Sequence, residues 1–333
     1  MINRRYLAAL FAVSAGCSVA EAPHIHDPSQ VQTFDNRQRI VATGKENTGG
    51  YLCGLEVWER SDDQAPWTFS NCLFEEKPAW IQTELPGNEG AFWAPDITPE
   101  GHLVYSVSAG FDDLANCAGL AYRDDDGWRD SGAPLTCIFG LQDGREVSSI
   151  DPSVFHAFDG TPFLVTGGGM IHGAELDPKT LRPLSGDWFE PGHPDWPVLA
   201  HGPMEEGERG WVEASYILPH DGFYYLFVNW GGCCAGLDST YEIRVGRSQE
   251  PLGPYLDRDG RDMVDGGGSV LLSSSGNRIG PGHASTRRTT NGLVLGYHFY
   301  DRLREGLPWQ GENRLLFEDG WPVVGEPLPV IRP

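Results

Sequence analysis

Positive charge is scarce in this sequence. Its 333 residues hold 24 Lys and Arg against 47 Asp and Glu, a formal net charge of −23. A surface of that sign repels phosphate, which excludes nucleic acid as a partner. It suits work on a neutral polymer, and acidity by itself also keeps a chain in solution. Long apolar runs are lacking too. Leu7 to Val13, behind Arg4 and Arg5, has the length of a signal-peptide core and is too short to cross a bilayer as a helix. No later stretch is long and apolar enough to be transmembrane. Sustained helical periodicity is missing throughout, which excludes an architecture of long helices. What is abundant is the opposite: 43 Gly, 25 Pro and 11 Trp point to many turns and short aromatic strands.

The start of the chain reads as an export signal, residues 1–22, followed by one mature domain, 23–333. Val13-Ser14-Ala15-Gly16-Cys17 looks like a bacterial lipoprotein cleavage box, without the Leu such boxes carry ahead of the Cys. On that reading Cys17 takes the lipid and is the only membrane contact. Ordinary cleavage near Ala20 or Ala22 is the alternative, with Pro23 against a cut directly after Ala22. The expected location is extracellular, periplasmic or lipid-anchored at the cell surface.

Seven cysteines are an odd number, and setting Cys17 aside leaves six. Cys53 and Cys72 stand nineteen residues apart and Cys117 and Cys137 twenty. Near-equal spacing suggests two disulfides at matching places in two repeats, which an exporting compartment permits. Cys233 and Cys234 are adjacent, a spacing that suits neither a metal site nor a redox pair. A vicinal disulfide that shapes a loop near a channel mouth is expected, with two free buried thiols as the alternative.

A repeat emerges from the turns. Asp27-Pro28-Ser29 leads to Asp35-Asn36, Asp151-Pro152-Ser153 to Asp159-Gly160, Glu213-Ala214-Ser215 to Asp221-Gly222, and His283-Ala284-Ser285 to Asn291-Gly292. The offset is eight residues in all four. Asp-Gly and Asn-Gly mark tight hairpins, whose central residues need positive φ. A fifth copy is Trp93-Ala94-Pro95-Asp96-Ile97, ahead of Glu100-Gly101. Five such units fill the mature chain. They predict an all-β, five-bladed propeller of four-stranded antiparallel blades around a central channel. Two β-sandwich domains are the alternative, but they leave the recurring offset unexplained. A closed ring leaves no sheet edge that needs a mate, so a monomer is expected.

In a propeller the first strand of each blade lines the channel, so Asp27, Trp93, Asp151, Glu213 and His283 are expected to converge. Taken singly each has a plain explanation: a turn starter, a strand end, a core aromatic, a satisfied histidine. Recurrence in one register is what lifts them. Three carboxylates close together cannot all ionise freely, so at least one keeps its proton toward neutrality beside one that has lost it. Glycoside hydrolysis needs that pair, and Trp93 offers a face on which a sugar can stack.

These residues resemble the family 43 glycoside hydrolases, and most of all their endo-arabinanase branch, from His26 to about Tyr300. The resemblance rests on His26-Asp27-Pro28-Ser29, Phe92-Trp93-Ala94-Pro95-Asp96-Ile97, Ile150-Asp151-Pro152-Ser153, Val212-Glu213-Ala214-Ser215-Tyr216 and Gly280-Pro281-Gly282-His283-Ala284. The stretch from Cys233 to Tyr241, with Arg244-Val245-Gly246-Arg247-Ser248, is its most distinctive part. It implies an inverting hydrolase of α-1,5 links in arabinan. Asp27 would be the general base, Glu213 the general acid, and Asp151 the group that raises and orients Glu213. Trp93 would shape the sugar site, with Phe92 and Ser149 beside it. His283 would lie on the axis near an ion such as calcium, held largely through water. Ser149 stands where these enzymes often carry Asn, and Ser215 where Pro is common; both departures bear on subsite preference and endo against exo action. Sister activities are exo-arabinanase, arabinofuranosidase and xylosidase. A non-catalytic carbohydrate-binding propeller is the competing class, but it would be expected to lose one of the acids.

Overall fold

The computed structural model describes residues 24–44, 54–74, 76–88, 92–110, 115–125, 127–138, 141–142, 145–186, 194–205 and 208–329. The expected signal segment 1–22 with Cys17, and Cys53, lie outside them.

Five antiparallel sheets form in chain order, each from one continuous segment. Blade 1 runs through Gln32–Phe34, Arg37–Ala42, Glu56–Arg60 and Thr68–Cys72. Blade 2 has Phe92–Ile97, Leu103–Ser108, Asn116–Asp124 and Gly127–Asp130. Blade 3 has Ser153–His156, Pro162–Thr166, Met170–Glu175 and Val198–His201. Blade 4 has Val212–His220, Phe223–Trp230, Glu242–Ser248 and Ser269–Leu272. Blade 5 has Arg278–Thr289, Gly292–Asp301, Leu307–Glu318 and Trp321–Pro327. This is the predicted five-bladed propeller, and Ala79–Glu84 is the one α-helix among the described residues. In blade 2 an extra strand, Thr136–Ile138, pairs with Asn116–Asp124 and sets Cys137 opposite Cys117. A disulfide joins them.

Two of the four turns have positive φ at both central residues, and at Asp159-Gly160 and Asn291-Gly292 only the glycine does, with φ of 91° and 108°. Asp35 and Asn36 have φ of 51° and 61°, and Asp221 and Gly222 have 46° and 80°. Two successive positive values match the twist of the flanking strands and pin the hairpin register.

The hydrophobic core lies between blades. Side chains alternate along each strand, so one strand feeds two gaps. Leu103, Tyr105 and Val107 pack toward blade 1 with Val41 and Val57, whereas Val104 packs toward blade 3 with Val154 and Leu164. Val165 meets Leu226 and Val228 between blades 3 and 4. Phe227, Phe299, Trp309, Ile40 and Trp58 continue the core through blade 5 into blade 1. All six residues of Leu103–Ser108 are buried as a result.

The ring closes without exchange of a strand between the first and last blades. The Ile25 N–H donates to the Pro308 carbonyl at 3.0 Å. Farther out, Arg60 of blade 1 and Arg287 of blade 5 share Glu312, at 2.8 and 2.9 Å, and both also reach Asp63, at 3.2 and 2.9 Å. Arg60, Arg287 and Glu312 are nearly buried. Removing the shared carboxylate leaves two guanidinium groups short of a partner away from water. Glu312→Ala is therefore expected to destabilise the fold by about 3–5 kcal/mol. Thermal melting against Arg288→Ala, an exposed neighbour, checks this; equal melting temperatures would show that the network does not close the ring.

Candidate active site

Near the start of every inner strand the backbone kinks into the left-handed region. The kinked residues are Asp27, Ala94, Asp151, Ala214 and His283, with φ between 38° and 57°. Non-glycine residues avoid this region, so five recurrences mark a built feature. Each kinked N–H donates to a side chain of the preceding blade: Asp27 to His298 Nδ1 at 3.3 Å, Ala94 to Thr43 Oγ1 at 2.9 Å, Asp151 to Ser106 Oγ at 2.8 Å, Ala214 to Asp151 Oδ2 at 2.7 Å, and His283 to Asn229 Oδ1 at 3.0 Å. One hydrogen bond per junction thus circles the channel.

This ring corrects the register obtained by counting back from the turns. Trp93 and Glu213 are not equivalent to Asp27 and Asp151; Ala94 and Ala214 are. Blade 4 has one residue fewer between kink and turn than blades 1, 3 and 5. The position before the kink is filled by His26, Trp93, Ile150, Glu213 and Gly282. The clue lay in Ala94-Pro95-Asp96, which matches Asp27-Pro28-Ser29 and Asp151-Pro152-Ser153.

Glu213 is gripped by residues that the sequence reading passed over. Trp211 Nε1–H donates to its Oε2 at 2.6 Å, and the Tyr241 hydroxyl donates to its Oε1. Tyr241 comes this close because Gly282 has no side chain; a Cβ there would lie 2.3 Å from the Tyr241 ring. Burial, with the nearby Asp27 charge adding to it, pushes the Glu213 carboxyl up to about 7, against the hydrogen bond from Trp211. Asp151 is displaced well upward by burial and by the charges of Glu213 and Asp27. The two therefore titrate as a pair, with a proton available near neutrality. Asp151 also holds the Ala214 N–H, one residue beyond Glu213.

Asp27 has the opposite environment. Burial alone would raise its carboxyl, but the His26 charge and hydrogen bond override that and hold it well below the usual carboxylate range. His26 Nδ1 lies 2.7 Å from Oδ2, Thr43 Oγ1–H donates to Oδ2 at 2.8 Å, and His298 Nδ1 and His283 Nδ1 lie 3.2 and 3.8 Å from Oδ1. One carboxyl that keeps its proton beside one that does not is an acid and base pair.

The remaining expected residues divide. Trp93 is partly exposed beside the kink. Phe92 is fully buried against Phe74 and Tyr105, so it belongs to the blade core rather than to a sugar surface. Ser149 is fully buried as well, and its hydroxyl donates to the Asn116 carbonyl at 3.0 Å. Both shape the site from behind. His283 is buried, and burial lowers its imidazole so that the ring stays neutral with a lone pair to offer. Next to it, His26, Asp27 and His298 bring donor atoms within 4.8 Å of one another. Both His26 nitrogens and Asp27 Oδ2 are engaged in hydrogen bonds. One imidazole beside a carboxylate oxygen fits a hard cation only if water supplies most of the ligands. Cys233 and Cys234 are bonded to each other, and the Cys234 N–H donates to the Tyr300 hydroxyl at 2.6 Å, so this loop abuts the site.

A propeller that carries one ionised and one protonated carboxyl at the start of its inner strands has the parts of a carbohydrate-cleaving hydrolase. The chain belongs to glycosyl hydrolases family 43, whose sequence profile matches residues 22–322. It is 30% identical over 313 residues to the extracellular endo-α-(1→5)-L-arabinanase 1 of Bacillus subtilis, covering 90% of this chain and 87% of that protein. It is likewise 30% identical over 342 residues to the extracellular exo-α-(1→5)-L-arabinofuranosidase of Cellvibrio japonicus, covering 96% and 91%. The structure of Cellvibrio cellulosa α-L-arabinanase complexed with arabinohexaose superimposes with a TM-score of 0.75 at 28% identity, over 91% of this chain and 96% of that one.

Proposed function

We propose that this glycosidase hydrolyses the α-1,5 links of arabinan within the chain and with inversion at the anomeric carbon. The observation that carries the chemistry is the split between Asp27, held ionised, and Glu213, pushed up to about 7. In one step Glu213 gives its proton to the departing glycosidic oxygen. Asp27 takes a proton from a water molecule as that water attacks the anomeric carbon from the other face. Asp151 supports this by placing a negative or shared proton charge beside Glu213 and by bracing its backbone. The relatives named above support arabinan as the substrate. Exo action is the second reading, because the Cellvibrio relative with that activity is as similar as the endo-acting one.

Both of those relatives are named extracellular, which supports export of this chain; a lipid on Cys17 rests on the sequence Val13 to Cys17 alone. A hard cation such as calcium would be held beside His283 mostly by water, and would add positive charge near the reacting sugar.

Digestion of linear α-1,5-arabinan tests the activity. Mixed short oligosaccharides should appear early, and the newly formed sugar should first carry the β configuration. Arabinose as the sole early product would make the enzyme exo-acting, and no product at all would remove arabinan. Treatment with EDTA should lower activity or melting temperature; no change in either would remove the cation.

A further inference from the structure

The direction of each hydrogen bond behind Asp27 can be assigned, and it divides the two oxygens of the carboxylate. Taking Asp27 as the base assigned above, we propose that Tyr300, His26 and Thr43 are positioning residues that clamp Oδ2 and leave Oδ1 to take the proton from water.

The assignment starts at a backbone N–H, which only donates. The Cys234 N–H points at the Tyr300 oxygen, 2.6 Å away. The Ser239 hydroxyl, whose oxygen takes the Ala235 N–H at 3.0 Å, also donates to the Tyr300 oxygen, so both lone pairs are used and the Tyr300 hydrogen goes to His26 Nε2, at 2.8 Å. With Nε2 accepting, the proton of the neutral His26 ring sits on Nδ1 and donates to Asp27 Oδ2, at 2.7 Å. If His26 gains a second proton, Nδ1–H still faces Asp27. In each state Oδ2 has a donor on this side.

The other side is built the same way. The Ala94 N–H donates to Thr43 Oγ1 at 2.9 Å, which turns the Thr43 hydrogen toward Asp27 Oδ2 at 2.8 Å. Oδ2 is thereby held by two directed donors. Oδ1 faces His298 and His283 instead. His298 Nδ1 lies 3.3 Å from the Asp27 N and 3.2 Å from Oδ1, so it gives Oδ1 one hydrogen at most, and His283 Nδ1 at 3.8 Å is too far to give another. With one donor at most on Oδ1 against two on Oδ2, Oδ1 is the oxygen that keeps a lone pair open.

The clamp takes its parts from four of the five blades. Cys234 follows Phe223–Trp230 of blade 4, Tyr300 is in blade 5, His26 and Thr43 flank blade 1, and Ala94 is in blade 2. Cys234 itself has a φ of 65° and is bonded to its neighbour, which fixes where its N–H points. General-base catalysis needs the accepting oxygen within hydrogen-bond reach of the water, so a clamp on Oδ2 acts on turnover rather than on sugar affinity.

Steady-state kinetics on linear α-1,5-arabinan test this, with Tyr300→Phe, His26→Leu, His26→Asn, the double variant Tyr300→Phe/His26→Leu and Asp27→Ala beside the unaltered protein. Tyr300→Phe should lower kcat about tenfold and His26→Leu about a hundredfold, with KM within about twofold in both. The double variant should be no slower than His26→Leu, because the two side chains act in series. His26→Asn keeps an N–H near the Nδ1 position and should recover part of the His26→Leu loss. The melting temperature should stay close to that of the unaltered protein in Tyr300→Phe, and should fall in His26→Leu because the partner that holds Asp27 low is gone. Losses that multiply in the double variant, that fall on KM, or that are absent in Tyr300→Phe would overturn the clamp while leaving Asp27 as base. Activity surviving in Asp27→Ala would remove the base assignment, and the clamp with it.

Discussion

Glu213→Gln should lower kcat on linear arabinan by about a thousandfold or more, since a positioned general acid contributes about 10²–10⁴-fold and Gln has no proton to give. The loss should shrink on an aryl arabinofuranoside whose leaving group departs without protonation. The pH dependence carries the same signature. A general acid works while protonated, and the protonated form exists below its pKa. Burial pushes Glu213 up to about 7, so kcat/KM should hold through mildly acidic pH and fall as pH rises through about 7. That alkaline limb should vanish in Glu213→Gln. Gln preserves the shape, and it can still meet Trp211 and Tyr241, so folding should survive. An alkaline limb that persists in the variant would assign the acid elsewhere, with Asp151 the first alternative because it is displaced upward too.

Asp27→Asn should be equally damaging, but indifferent to the leaving group. The missing function is water activation, so kcat should fall by about 10³–10⁴-fold on arabinan and on an activated aryl glycoside alike. Comparing the two substrates in the two variants separates acid from base in one experiment. The pH sign is reversed here. A general base works while ionised, and Asp27 is held well below the usual carboxylate range, so the acid limb should lie below the ordinary carboxylate value. Stability follows the same rule. A depressed folded-state pKa contributes stability that is present above the unfolded value and lost as pH falls through the folded one. The melting temperature of Asp27→Asn should therefore lie below that of the unaltered protein at neutral pH and converge on it in acid. A variant that is slow only on arabinan would contradict the assignment of Asp27 as base.

The sequence was most informative where chemistry is local. Asp221-Gly222 and Asp35-Asn36 declare tight turns because few other pairs tolerate two positive φ values in succession. Strand spacing, the five-fold repeat and the absence of long helices followed from such signals. The three acids stood out for the same reason, Asp27 and Asp151 just ahead of the first strands of their blades and Glu213 on one. The Cys117–Cys137 pair was legible as a near-repeat of a spacing, and the two cysteines stand opposite each other on paired strands.

What remained hidden depends on atoms far apart in the chain. No spacing says that Tyr241 reaches Glu213 past Gly282, or that Tyr300 braces His26, because those contacts exist only after blades 4, 5 and 1 have docked. Phe92 and Ser149 stand beside functional residues in the sequence, yet strand alternation turns Phe92 into the core, and Ser149, ahead of its strand, is buried against the Asn116 carbonyl. The register slipped by one in blades 2 and 4, since counting from a turn cannot see a kink at the other end of the strand. By itself the sequence determined the repeat, the turn chemistry and the identity of the carboxylates, all carried by neighbouring residues. Only the tertiary structure decided which carboxyl keeps its proton, because burial and the facing imidazoles are products of the closed ring.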